Sequence, residues 1–165
     1  MDVADLLAGR TRETKIRRDA QGRWWNGDER IDHAGVARSF DGWLERTSDG
    51  RFCLANEINW AYVQVEGPAY FVRSVRFEGD DVMLHLSGDR VERLDVASLR
   101  TGDDGALYCD VQDGTLSARF DNHAAMQLGE RLVDGEAFDL GGKRVTPKLV
   151  ADPLASRSSR GKREP

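Results

Sequence analysis

Cysteine is nearly absent from this 165-residue sequence: only Cys53 and Cys109 occur, far apart. A disulfide framework or a zinc site needs more cysteines at closer spacing, so both are excluded as organising features. Each cysteine sits in an apolar, strand-like run and reads as a buried free thiol. Long apolar runs are missing too. None approaches the roughly 20 residues of a membrane helix, so no membrane association is expected. The segment Met1 to Gly9 lacks the apolar stretch of a secretory signal, and the expected location is the cytoplasm. There is no GxxxxGK[ST] or GxGxxG loop for phosphates, no GxSxG nucleophile elbow and no HExxH helix. Gly141-Gly142-Lys143 is a turn before a strand. No cofactor is expected.

Net positive charge is also lacking. The chain carries −5, with 24 basic against 29 acidic residues. Five basic and three acidic groups fall in residues 1–18, and four basic and two acidic in residues 151–165. The body between them is therefore strongly acidic, and nucleic acid is not an expected partner.

The chain is long enough for one domain or two small ones. Val3 to Leu7 suggests a short helix within an N-terminal linker, 1–15. Gly22-Arg23-Trp24-Trp25-Asn26-Gly27 reads as an aromatic strand and turn. Asp32 is placed to N-cap a helix with Val36, Phe40, Trp43 and Leu44 on one face. Phe52-Cys53-Leu54, Tyr62 to Glu66, Tyr70 to Phe77, Val82 to Leu86 and Val91 to Val96 follow as strands of an antiparallel meander. Leu107 to Val111 and Leu116 to Phe120 form a further hairpin. Asn122 is placed to cap a second helix with Ala125, Leu128 and Leu132 inward, closed by Asp134-Gly135. Phe138 to Val150 supplies the last strands. Residues 22–54 and 105–140 repeat one order of elements, which suggests an internal duplication. The expected fold is α+β, with two similar tandem subdomains, 16–100 and 101–150, each an antiparallel sheet with a packed helix. Residues 151–165, poor in apolar side chains, are expected to be a disordered basic tail.

Candidate chemistry is sparse. His33 and His123 lie early on the two helices, where either could serve as a base or ligand, or simply be exposed. Asp28-Glu29, Asp80-Asp81 and Asp103-Asp104 lie at turns and read as solvated carboxylates. Trp24 and Trp25 are adjacent in a strand and must point to opposite sides, one inward and one outward. An exposed Trp beside Arg38 or Arg73 would suit a ligand; packing in a second layer is the plainer alternative.

These pieces together resemble a bacterial family, the domain of unknown function 1285, over about Ile16 to Val150. The likeness rests on Gly22-Arg23-Trp24-Trp25, Gly27 and Ile31, and the helix with Phe40 and Leu44. It continues through Asp49-Gly50-Arg51-Phe52-Cys53-Leu54 and Val63-Gln64-Val65-Glu66-Gly67-Pro68-Ala69-Tyr70. Gly88-Asp89 before Val91, and Tyr108 ahead of Ala118-Arg119-Phe120, complete it. The sequence departs from the family at Asn56-Glu57-Ile58-Asn59, where the amide Asn59 stands in place of a glutamate. Pro68-Ala69 also inverts the family's order. The resemblance implies an α+β fold of two similar subdomains and a plausible signalling or ligand-binding role, with no established activity.

The resulting expectation is a non-enzymatic binding or regulatory module for an unknown small ligand or protein partner. Its site is expected in the cleft between the halves, lined by Trp24, Arg38, Trp60, Arg73 and Arg119. One alternative is a small hydrolase or metal-dependent enzyme using His33 and His123. Another is a protein-interaction adaptor acting through the basic tail.

Overall fold

Val82, Leu84 and Leu86 alternate with residues that are more exposed, and all three are buried on one side of a strand. That pattern recurs through the chain and builds a sheet-rich α+β structure. The computed structural model describes residues 12–158 and 160–165; the helix expected at Val3 to Leu7 lies outside them. The chain divides into two units, Met1–Ala69 with Ser159–Pro165, and Tyr70–Ser158.

The first unit contains β1 (Ile16–Arg18), β2 (Trp24–Asn26), β3 (Glu29–Arg30), α1 (Ala34–Trp43), β4 (Leu44–Arg46), β5 (Phe52–Ala55), β6 (Trp60–Tyr62) and β7 (Gln64–Val65). A four-stranded sheet runs β3-β2-β1-β7, with β1 and β7 parallel. A three-stranded antiparallel sheet runs β4-β5-β6. His33, rather than Asp32, is the N-cap of α1: its Nδ1 accepts the Val36 N–H at 3.3 Å. The helix stops at Trp43 because Leu44 turns extended and enters β4, where it is fully buried.

The second unit contains β8 (Tyr70–Glu78), β9 (Asp81–Leu86), β10 (Arg90–Arg93), β11 (Arg100–Thr101), β12 (Leu107–Val111), β13 (Leu116–Phe120), α2 (Asn122–Leu128), β14 (Leu132–Val133), β15 (Ala137–Leu140), β16 (Lys143–Val145) and β17 (Lys148–Leu149). Seven strands form one sheet, β10-β9-β8-β13-β12-β11-β17, and β14-β15-β16 forms another. The pairings β8–β13 and β11–β17 are parallel and the rest antiparallel.

The parallel pairing of β8 with β13 explains why the division falls at Ala69/Tyr70 and not at 100/101. It ties the β8–β9–β10 meander to the later hairpin. Each unit has a helix followed by a three-stranded antiparallel sheet: α1 precedes β4-β5-β6, and α2 precedes β14-β15-β16.

Three local expectations change. Asp121, not Asn122, is the N-cap of α2, and its carboxylate pairs with Arg73 at 2.9 Å instead of capping. Ala124 and Leu128, spaced i and i+4, form the buried side of α2; Ala125 is only half-buried and Leu132 is an exposed strand residue. Asp134 and Gly135, both at positive φ, turn the β14–β15 hairpin instead of closing a helix.

The tail is not an unattached coil. Ser158 N–H donates to Gly114 O at 2.8 Å, and Gly161 N–H to Thr47 O at 2.9 Å. Thr47 and Arg163 form a parallel bridge, and Arg163 pairs with Glu45 at 2.6 Å. Backbone and charged groups anchor it, so its lack of apolar side chains does not leave it unpaired. No helix among the described residues is long and apolar enough to cross a membrane.

Candidate functional site

Trp24, Arg38 and Trp60 belong to the first unit, and Arg73 and Arg119 to the second. Trp24 is only 1% exposed. Its indole N–H donates to Asp41 Oδ1 at 2.8 Å and its ring packs edge-on against Phe40. It is a core residue. Trp25 takes the outward role, half-buried, with Arg17 over its ring and its N–H on Asp19. Arg38 is exposed on α1.

Trp60 is half-buried, with the Arg12 guanidinium 4.4 Å from its ring centre and the Tyr62 ring edge-on at 5.1 Å. Arg12 also donates to Asn59 Oδ1 at 2.5 Å. Side chains of the unit itself therefore occupy this aromatic surface. Arg73 is held by Asp121 and lies over Phe71. Arg119 reaches Asp104 Oδ2 at 3.4 Å, and the Tyr108 hydroxyl donates to the same oxygen at 3.1 Å. His33 is spent on its cap, and His123 is exposed at the start of α2. These two histidines lie in different units. Among the described residues, no three or more His, Cys, Asp or Glu side chains are grouped so as to hold a metal ion.

A further concavity lies elsewhere in the chain. It is a groove of about 640 Å³ within the second unit. Its apolar floor is Val82, Leu94 and Val111, all buried. Leu94 N–H donates to Val82 O at 2.7 Å, which carries the β9–β10 ladder one residue beyond β10. The walls are polar. Asp80 comes from the β8–β9 turn, Asp81 from the start of β9, Glu92 and Arg93 from β10, and Asp95 from the segment after it. Asp110 comes from β12, Asp113 and Gly114 from the β12–β13 turn, and Arg157 from the tail.

Six carboxylates thus face two guanidinium groups in this lining. Several are oriented. Asp110 Oδ1 pairs with Arg100 at 3.0 Å, and its Oδ2 accepts the Arg157 backbone N–H at 3.0 Å. Glu92 Oε1 accepts the Gln112 N–H at 2.9 Å, while its buried Oε2 makes no hydrogen bond and lies 3.9 Å from Arg90 Nε. Asp95 pairs with Arg157 at 3.0 Å. At the rim, Gln112, Asp113 and Gly114 are three consecutive residues at positive φ. Strain of this kind at side-chain-bearing residues is common where a turn presents groups to a ligand.

None of the five residues named from the sequence lines this groove. The signal for it was the acidic excess of the body and the turn acids Asp80, Asp81 and Asp113, which read as merely solvated. Their convergence depends on the order of β9, β10 and β12, which is not a local property.

Two solved structures are similar to this chain. A DUF1285 family protein from Silicibacter pomeroyi DSS-3 matches with a TM-score of 0.62 at 16% identity, over 93% of each chain. The fold is that of DUF1285 proteins. A second DUF1285 family protein, from Shewanella baltica OS155, matches with a TM-score of 0.58 at 17% identity, over 73% of this chain and 94% of its own. Neither a family model nor a curated protein matches the sequence. The DUF1285 resemblance drawn from the residue runs and the likeness in structure agree. At these identities the DUF1285 likeness speaks for the fold and carries no activity with it.

Proposed function

We propose that this chain is a binding or regulatory module whose site is the acidic groove of the second unit, and that its ligand is positively charged. The observation that carries the reading is the lining of six carboxylates and two guanidiniums over an apolar floor. A concave site of one predominant sign focuses its field and concentrates the opposite charge. Its volume suits a small ligand or a short segment of chain. A cytoplasmic setting belongs to the same reading and is supported by the two free, buried thiols. Burial, helped by Glu45, pushes the Cys53 thiol up to about 12, and burial raises Cys109 as well. Neither thiol is activated for chemistry.

A thermal-shift panel on the purified chain tests the proposal. Amines and guanidinium compounds are expected to raise the melting temperature, and nucleotides and other anions to leave it unchanged. At 100 times the dissociation constant a ligand adds about 2.7 kcal/mol, a shift of about 5–11 °C in a chain of this size. Asp95→Asn with Asp113→Asn is expected to abolish that shift while leaving the unliganded melt nearly unchanged. Asparagine tolerates the positive φ at position 113. A shift produced by anions instead, or one that survives the double substitution, would remove the groove from consideration.

A further inference from the structure

We infer that the groove is an arginine site, that Arg157 of the chain's own tail is its resident occupant, and that an arginine-bearing peptide segment of a partner displaces it. This rests on the reading of the groove as the binding site and names its ligand.

The tail passes along the edge of the groove, and Arg157 is the tail residue in its lining. Ser156 Oγ donates to Thr115 O at 3.1 Å, Arg157 N–H to Asp110 Oδ2 at 3.0 Å, and Ser158 N–H to Gly114 O at 2.8 Å. Three consecutive residues are thus fixed beside β12 and the β12–β13 turn, Ser156 by its hydroxyl and Arg157 and Ser158 by their backbone N–H groups. The two backbone contacts provide main-chain affinity, and the Arg157 side chain provides specificity.

That side chain is a guanidinium, and the turn is shaped for it. Arg157 Nη1 pairs with Asp95 Oδ2 at 3.0 Å. A Cβ built at Gly114 would stand 2.7 Å from Arg157 Nε and 2.8 Å from Nη2. A side chain at position 114 would push this flexible guanidinium aside, and the φ of +82° at Gly114 favours glycine in its own right. The planar fork of arginine can meet the carboxylate and lie against this backbone together, whereas the round ammonium of lysine makes only a point contact.

The occupant is displaceable. The Arg157 side chain is 61% exposed and that of Asp95 33%, and an ion pair this open to water contributes little. The groove of about 640 Å³ lies beside Arg157, which is part of its lining, and Asp80 and Asp81 line the same space. A partner segment with a second basic residue would therefore meet further carboxylates in the same groove.

The test uses the full chain and a fluorescein-labelled Ser-Arg-Ser peptide, with Ser-Lys-Ser and Ser-citrulline-Ser as comparators, read by fluorescence anisotropy. An occupied site weakens apparent affinity by the fraction of time it is open. If Arg157 fills it nine-tenths of the time, Arg157→Ala is expected to bind the arginine peptide about tenfold more tightly than the unaltered chain. Arg157→Lys should gain less, and the lysine and citrulline peptides should bind much more weakly. Adding Asp95→Asn to Arg157→Ala should return the arginine peptide to background. Equal affinity of Arg157→Ala and the unaltered chain, or equal binding of the lysine peptide, overturns the inference. If amines still shift the melt through Asp95 and Asp113 in that case, the groove remains a binding site without this occupant. If neither peptide nor amine responds, both readings fall.

Discussion

Asp41→Ala is expected to lower the stability of the chain by about 3–5 kcal/mol, the cost of breaking a buried ion pair from one side. Asp41 Oδ1 receives two donors, Trp24 Nε1 at 2.8 Å and Arg18 Nη2 at 2.9 Å. Arg18 is 1% exposed. Its other N–H groups donate to Gly22 O at 3.4 Å, Pro68 O at 3.3 Å and Ala69 O at 2.5 Å. These carbonyls satisfy hydrogen bonds but do not cancel charge. Without Asp41 the first unit would hold a buried cation and an indole N–H with no acceptor. A typical domain has only about 5–15 kcal/mol in total, so the loss is a large share. The pair itself need not add net stability, because desolvation of both ions offsets their attraction. Arg18→Met with Asp41→Leu is therefore expected to recover most of what Asp41→Ala loses. Urea midpoints of the unaltered chain and the two variants decide it. A loss below about 1 kcal/mol for the single change would place the pair among ordinary surface bridges.

The same trio shows what the sequence could reveal. Trp24 and Asp41 are seventeen positions apart, and nothing in either neighbourhood marks them as partners. Adjacent tryptophans in a strand do dictate that one turns inward, and Trp24 does. The spacing of Val36 and Phe40 sets the inner side of α1, and the alternation of Val82, Leu84 and Leu86 sets that of β9. Such readings succeed because helix and strand periods are local. The parallel pairings β1–β7, β8–β13 and β11–β17 join distant segments, and no local pattern encodes them. The division at Ala69/Tyr70 and the groove both follow from that order. Composition measures apolar burial and so does not reveal the backbone bonds and charge that engage Ser158, Gly161 and Arg163.

Acid should expose a second buried carboxylate. Asp19 is buried beside Trp25. Burial alone would raise its pKa, but the hydrogen bonds outweigh it. Trp25 Nε1 donates to Oδ2 at 2.9 Å, Arg23 N–H to Oδ1 at 2.8 Å, and Arg23 Nε to Oδ2 at 2.7 Å. Gln21 N–H adds a bond to Oδ1 at 3.0 Å. Together they hold the carboxyl down, from 3.8 to about 2. A group whose pKa is depressed on folding stabilises the fold above its unfolded value and ceases to do so as the pH falls through its folded value. The contribution, about 2 kcal/mol at neutral pH, should therefore be intact above pH 4 and fade toward pH 2. Asp19→Asn cannot offer a charged acceptor to these donors. Its deficit in urea midpoint is expected to be full at pH 7, smaller at pH 3 and least near pH 2, where the unaltered Asp19 is itself becoming protonated. A deficit that stays constant across that range would mean that the geometry of the Asp19 turn, not its charge, holds this corner of the first unit together.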